Sequence, residues 1–152
     1  MKAETRQEDA SGAQLRESEA MKDEAEKRAC LAKLDDLAAQ IDAVLAVFGK
    51  RTRLAGPDKI RAQELLRQLK GRLNDEYHRT SRDRALLNWT EQTSYAPAVH
   101  EASAGISVRV NSIPDQRWFD DLGGTRFDIE FYARQLRDQL AERSPVPRPQ
   151  AQ

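Results

Sequence analysis

The chain has 152 residues, of which 39% are hydrophobic and 33% charged, so its length suits one domain and excludes two large ones. Its formal net charge is zero, from 25 basic and 25 acidic residues, which removes the argument for nucleic-acid binding that a strongly basic chain would give. The longest strictly apolar run covers residues 43–48, far below the ~20 residues that cross a bilayer. We therefore expect no membrane partner.

Residues 1–25 form a charged N-terminal arm. Its only larger apolar side chains are Leu15 and Met21, too few to offset the entropy lost on ordering. We expect this arm to be disordered or frayed, or to continue the following helix as an exposed extension. The N-terminus leads into polar and acidic residues rather than an apolar signal core, which favours a cytoplasmic location.

Two apolar patterns with steps of three and four residues then predict two helices, each with one buried face. The first helix ends near Gly49, and the second begins at Pro57, where proline loses nothing by lacking an N–H, and runs to about Arg82. The patterns are Cys30, Leu34, Leu37, Ala38, Ile41, Val44, Leu45 and Phe48, and then Ile60, Leu65, Leu66, Leu69, Leu73 and Tyr77. The single cysteine is expected to be a small core residue without a redox role.

A third helix is predicted from Asn88, which stands three residues before Glu91 as an N-cap stands before its reciprocal acid. Pro97 removes an internal hydrogen bond from such a helix. We expect either a kink at Pro97 or a later start at Ser94, and we prefer the kink. The apolar positions carry this helix to Val110: Ala96, Val99, Ser103, Ile106 and Val110.

The fourth helix follows Pro114 and is the most apolar. Gly123 and Gly124 interrupt it, at a cost of roughly 2 kcal/mol relative to alanines, and Thr125 could cap a restart. The seven-residue phase of Leu122, Ile129 and Leu136 continues through the glycines, which favours one helix. The glycines are then expected to admit a close neighbour from the small residues of the third helix: Ala98, Ala102, Ser103, Ala104 and Gly105.

The buried stripe of this fourth helix is wide. It comprises Trp118, Phe119, Leu122, Ile129, Tyr132, Ala133, Leu136 and Leu140, widened by Phe127 and Phe131. Four helices joined by short loops predict an all-α, antiparallel up-and-down four-helix bundle over residues 26–143. The prolines at 145, 147 and 149 cannot continue a helix and predict an extended Pro-rich tail over 144–152.

The two histidines complete no catalytic or metal site in the sequence. A zinc site built on His100 and Glu101 would need a second histidine where Ala104 stands. Histidine-phosphotransfer domains are also four-helix bundles, but they usually carry a lysine and a glycine where this chain has Ser103 and Ala104. We therefore expect no enzyme, no cofactor and no metal.

Two surfaces are candidates for binding a partner. Residues 50–84 hold 11 basic residues against 5 acidic ones, whereas residues 1–49 hold 7 against 11. The first candidate is the basic loop and the second helix, and the second is the turn before the fourth helix, where Trp and Arg resemble interface hot spots. The residues are Lys50, Arg51, Arg53 and Arg61, and then Arg109, Asn111, Arg117 and Trp118.

Each surface also has a purely structural interpretation. The cations could be neutralised by Asp35, Asp36 and Asp42 of the first helix, and Trp118 could belong to the core. With these alternatives open, we predict a non-enzymatic helical bundle that mediates protein–protein interaction or regulation. It could form a homodimer through spare apolar surface on the first or fourth helix. The alternative is a nucleic-acid-associated accessory protein that uses the basic loop and second helix.

Overall fold

The computed structural model describes residues 2–143, so the predicted Pro-rich tail at 144–152 lies outside the described residues. Within this range there is no β-strand, and the all-α prediction is confirmed. No helix in the range is long and apolar enough to cross a membrane. The helices are α1 (Lys2–Phe48), α2 (Gly56–Arg82), α3 (Ala96–Gly105) and α4 (Gln116–Arg143).

The four helices form the predicted up-and-down bundle. Helix α1 packs against α2 and α4, and α3 packs against the same two helices. Two ion pairs show that α1 and α4 are antiparallel: Arg126 binds Asp42 at 2.6 Å, and Arg137 binds Asp35 at 2.5 Å. The lower-numbered partner on α1 thus pairs with the higher-numbered one on α4.

The core is built from the apolar stripes predicted for α1, α2 and α4. Its largest fully buried side chains are Phe48, Leu34, Leu37, Ile41, Leu66, Leu69, Trp118, Leu122, Ile129 and Leu136, joined by Tyr95 and Leu54. Cys30 is also buried, and burial raises the pKa of its thiol to about 11, which fits the small core residue that was predicted.

The predicted stripes were wrong at four positions, which lie at the surface. Ile60 is 67% exposed and Tyr77 is 39% exposed on α2, and Phe127 and Phe131 are 74% and 54% exposed on α4. A helix in a bundle buries only one stripe of its circumference. Phe127 and Phe131 lie outside the buried stripe of α4, which contains Ile129 and Ala133.

Helix α1 begins at Lys2, so the arm takes the form of a helical extension of α1. Side chains 13–22 of this extension are all exposed. Ion pairs four residues apart support the helix near the bundle, where Lys27 binds Asp23 at 3.4 Å and Arg28 binds Glu24 at 2.7 Å. The extension thus has local ion pairs, and its side chains at 13–22 form no core.

The start of the third helical segment agrees with the predicted cap. The side-chain oxygen of Asn88 accepts the backbone N–H of Glu91 at 2.8 Å. The chain then makes a π-helical turn over Glu91–Tyr95, in which the N–H of Ala96 donates to the carbonyl oxygen of Glu91. The helix passes Pro97 without a new start at Ser94, and its irregularity lies in the wide turn just before the proline.

The predicted continuation of this helix to Val110 was wrong. Helix α3 ends at Gly105, and residues 106–109 are not helical, with Ile106 and Val108 buried and Ser107 and Arg109 exposed. The reason is Asp121 of α4, whose Oδ2 accepts the N–H and hydroxyl of Ser107 at 2.9 and 2.6 Å and the N–H of Val108 at 2.8 Å. A distant side chain thus supplies acceptors that a helix would otherwise provide.

Helix α4 runs unbroken through Gly123 and Gly124, as predicted. The prediction of a close neighbour there was wrong, because a methyl group built on either glycine would have no atom of another helix within 4 Å. The close approach between α3 and α4 instead occurs at Gly105, which faces Thr125.

Candidate functional site

Two loops that are distant in the sequence meet at one end of the bundle. The backbone N–H of Leu54 donates to the carbonyl oxygen of Pro114 at 2.9 Å, and the side-chain amide of Gln63 donates to that of Ser112 at 2.9 Å. The two surfaces predicted from sequence are therefore brought to the same end. We call this the basic end, formed by Lys50, Arg51, Arg53, Lys59, Arg61, Arg109, Asn111 and Arg117.

Asp35, Asp36 and Asp42 of α1 form no ion pair with the basic end. Asp42 is bound by Arg126 and Asp35 by Arg137, and both of these arginines belong to α4. Only Asp36 pairs with a cation of α2, at 2.6 Å from Arg72. The predicted neutralisation thus holds for Arg72 and not for the loop.

Within the basic end itself, Arg51 pairs with Asp58 at 2.7 Å. Six other cations make no ion pair or side-chain hydrogen bond with any described residue. They are Lys50, Arg53, Lys59, Arg61, Arg109 and Arg117. The geometry therefore leaves several positive charges at one end of the molecule, and these charges can bind an anionic partner.

Trp118 belongs to the core, as its structural interpretation expected, and its assignment to the partner surface was wrong. Its side chain is only 1% exposed, its indole N–H donates to the hydroxyl of Ser112 at 3.0 Å, and its ring centre lies 6.4 Å from that of Phe48. The first turn of α4 points this residue inward, because the turn is held against α1 and the 106–115 segment. Trp118 therefore lies in the core beneath the basic end and is not part of the surface that a partner would contact.

A hollow of about 490 Å³ opens at the basic end. Two exposed arginines line it, Arg109 and Arg117. The other lining residues include Ser107, Ser112, Ile113 and Asp115. Asp115 is partly engaged, since its Oδ1 accepts the N–H of Arg117 at 3.0 Å. Two guanidinium groups around one hollow suit a carboxylate, which arginine binds with paired hydrogen bonds.

The segment that carries Arg109 is fixed by two charged residues. Burial raises the pKa of Asp121, but hydrogen bonds from Ser107 and Val108 outweigh it, and the pKa of Asp121 lies below its usual range. Lys70 of α2 donates to the carbonyl oxygen of Val108, and burial lowers the pKa of its ammonium group. Asp121 and Lys70 thus hold an irregular backbone in one place.

The opposite end of the bundle holds a polar network that the sequence patterns did not reveal. The hydroxyl of buried Tyr95 donates to Glu76 at 2.7 Å, and Arg79 donates to the other oxygen of Glu76 at 2.7 Å and to Glu91 at 3.3 Å. Burial raises the pKa of Glu76, but the bonds from Arg79 and Tyr95 outweigh it, and the net pKa is lowered. Each of these polar groups therefore has a hydrogen-bond partner, and the bonds connect α2 to the π-helical turn.

His100 lies at the boundary between α2 and α3. Its Nε2 is 3.0 Å from the hydroxyl of Thr80 and 3.4 Å from that of Ser81, and its ring centre is 4.5 Å from that of Tyr77. The imidazole is half-buried and engaged with neutral partners. In the described part of the chain, no group of three or more His, Cys, Asp or Glu side chains is arranged to hold a metal ion.

Comparisons of the chain with protein-family models, with curated proteins and with solved structures find no match.

Proposed function

We propose that this chain is a non-enzymatic interaction module that binds an acidic surface of a partner protein through its basic end. The observation that supports this proposal is the commitment of Asp35 and Asp42 to α4, while Lys50, Arg53 and Arg61 have no ion-pair partner among the described residues. Clustered charges of one sign speed association with a complementary surface and select against other partners.

The hollow between Arg109 and Arg117 gives this interaction a specific contact. A glutamate or aspartate side chain of the partner would enter the hollow and receive hydrogen bonds from both guanidinium groups. The surrounding lysines and arginines would contribute less, because exposed ion pairs are each worth only ~0–1 kcal/mol. Regulation of the partner would follow from covering its acidic surface.

A nucleic-acid partner is the second candidate, and the clustering of unpaired cations at one end favours it. Each phosphate that a cation neutralises releases counterions, so binding would weaken steeply with salt. The large exposed apolar side chains of this region are Ile60 and Ile113, neither of them aromatic. Base stacking is therefore not available there, and recognition would be through phosphates alone.

A second copy of the chain remains a further proposed partner. Phe127 and Phe131 lie one turn apart on α4 and are both exposed, and α1 exposes Leu15 and Met21. These are the spare apolar surfaces expected for a homodimer. The cytoplasmic location expected from the sequence also stays a prediction.

The protein-partner proposal is tested by charge reversal at the basic end. The test variant carries Arg53→Glu, Arg61→Glu and Arg109→Glu. The control carries Arg16→Glu, Lys22→Glu and Arg134→Glu, which make the same change in net charge at exposed positions elsewhere. Cross-linked pull-downs from cell extract should give a partner protein with the unchanged chain and the control and lose it with the test variant. Equal capture by both variants would contradict the proposal.

The nucleic-acid alternative has its own measurement. A mobility-shift titration with a short duplex should show affinity that falls by orders of magnitude between about 50 and 200 mM salt if several phosphates are contacted. The same three substitutions at the basic end should weaken this binding more than the control set. If no shift occurs at low salt while the pull-down succeeds, only the protein-partner proposal stands.

A further inference from the structure

An open groove, distinct from the hollow at the basic end, runs between α2 and α3. Lys70, Asn74 and Tyr77 line it from α2, at steps of four and three residues that place them along one line of the helix. The opposite wall is formed by His100 and the small residues that follow it on α3, Ser103 and Ala104. Its volume is about 670 Å³, within the ~300–1,000 Å³ of typical small-molecule sites.

The groove is apolar at its floor and differs chemically at its two ends. Leu73 and Ile106 are buried and form the floor. Lys70 brings an ammonium group to one end, and the rings of Tyr77 and His100, 4.5 Å apart, stand at the other. Tyr77 lies seven positions after Lys70 on the helix, which corresponds to roughly 10 Å along the axis.

The hydrogen-bonding groups of the groove favour an anion. None of the residues that line it is acidic. Lys70 donates to the carbonyl oxygen of Val108, and an ammonium group has two further donors. The hydroxyl of Ser103 is shielded from solvent and has no hydrogen-bond partner, and rotation about its Cα–Cβ bond can turn it toward a bound oxygen. A buried polar group without a partner is uncommon in folded proteins.

We propose that the groove between α2 and α3 binds a small aromatic carboxylate. Its carboxylate accepts hydrogen bonds from Lys70, and its ring lies on Leu73 and Ile106 with an edge against Tyr77. A ligand of two fused rings with one carboxylate spans the distance between the ammonium group and the aromatic pair. The site shares no lining residue with the hollow between Arg109 and Arg117, but it adjoins that hollow, because Lys70 donates to the carbonyl oxygen of Val108, which lines it.

The first test uses the full chain, labelled with ¹⁵N, and 1-naphthoate as the probe. Titration should shift the amide resonances of residues 70–77 and 100–106 with a saturable dependence on concentration. The neutral analogue 1-naphthylmethanol should bind at least about fivefold more weakly, because it cannot use the charge of Lys70. Equal binding of the two compounds, shifts confined to the basic end, or no shift would each overturn the proposal.

Two substitutions, each with a matched control, locate the site. Ala104→Trp places a large ring in the groove from an exposed position and should reduce naphthoate affinity at least about tenfold, whereas Ala43→Trp on exposed α1 surface should not. Lys70→Met should weaken binding about fivefold, and Lys59→Met, which removes an unpaired cation from the same helix, should not. Should Lys70→Met fail to fold, Ala104→Trp decides the question, and unchanged affinity in that variant contradicts the site.

Discussion

Gly105 of α3 and Thr125 of α4 are in such close contact that a side chain at position 105 would be crowded. A methyl group built on Gly105 would lie 3.0 Å from the hydroxyl oxygen of Thr125. That hydroxyl is buried and donates to the carbonyl oxygen of Asp121 at 3.0 Å, so it has little freedom to move. The two helices meet here at the last residue of α3, just before the non-helical segment that follows.

This contact predicts opposite effects for two glycine substitutions. Gly105→Ala should lower the free energy of unfolding by ~1–3 kcal/mol, because the added methyl group overpacks the contact with Thr125. Gly123→Ala should raise it by roughly 0.5–1 kcal/mol, since alanine is the better helix former and nothing lies near the new methyl group. Urea unfolding of both variants measures the difference, and a stabilising Gly105→Ala would show that α3 and α4 are less closely packed.

Truncations on α4 should separate the buried face from the exposed one. Ile129→Ala is expected to cost ~2–5 kcal/mol of unfolding free energy, because Ile129 is completely buried and leaves a cavity. Phe127→Ala removes a larger side chain from an exposed position and should change stability by no more than ~0.5 kcal/mol. Denaturant midpoints report both values. A large loss with Phe127→Ala at every protein concentration would place that ring in the core.

The exposed face of α4 that carries Phe127 is also the proposed homodimer interface, and substitutions there test it. If α4 mediates self-association, Phe127→Ala combined with Phe131→Ala should lower the apparent mass at high protein concentration, because the substitutions remove the exposed apolar surface of the helix. Sedimentation velocity over a range of concentrations makes this measurement. An unchanged association state in the double variant would exclude this face as the interface.

The network around Tyr95 should make stability depend on pH in the acid range. The pKa of Glu76 is lowered in the folded protein from a reference of 4.5. Its contribution is therefore complete above about pH 4.5 and is lost as the pH falls through the lower folded-state pKa. Glu76→Gln should cost ~1–3 kcal/mol near neutral pH and make the acid decline shallower. Glu64→Gln, at an exposed ion pair with Arg67, is the control and should have little effect on either.

The helical arm should be dispensable for the stability of the bundle. A chain that begins at residue 26 is expected to unfold within ~0.5 kcal/mol of the full chain, because the side chains at 13–22 are exposed and contribute no core. Limited proteolysis should remove the arm first and leave a fragment of about 26–143. Protection that increases with protein concentration would contradict a solvated arm and show that a second copy covers it.

Much of the fold could be predicted because the signal was local. The three- and four-residue spacing from Leu34 to Phe48 predicts the buried face of α1, and the phase of Leu122, Ile129 and Leu136 predicts a continuous α4. Asn88 was recognised as a cap for the same reason, since a cap acts within three residues of itself. Each of these features depends on the periodicity of one helix or on a single turn.

The features that only the tertiary structure decided depend on partners that are distant in the sequence. Asp121 holds Ser107 and Val108 just after the end of α3, and Asp35 and Asp42 of α1 bind α4 instead of the basic loop. The backbone hydrogen bond between Leu54 and Pro114 joins the two loops that carry the basic segments, and so places both segments at one end of the bundle. Local spacing records which face of a helix is buried, but the choice among competing charged partners is made by the geometry of packing. Side chains separated by tens of residues come within hydrogen-bonding distance only after the helices have assembled.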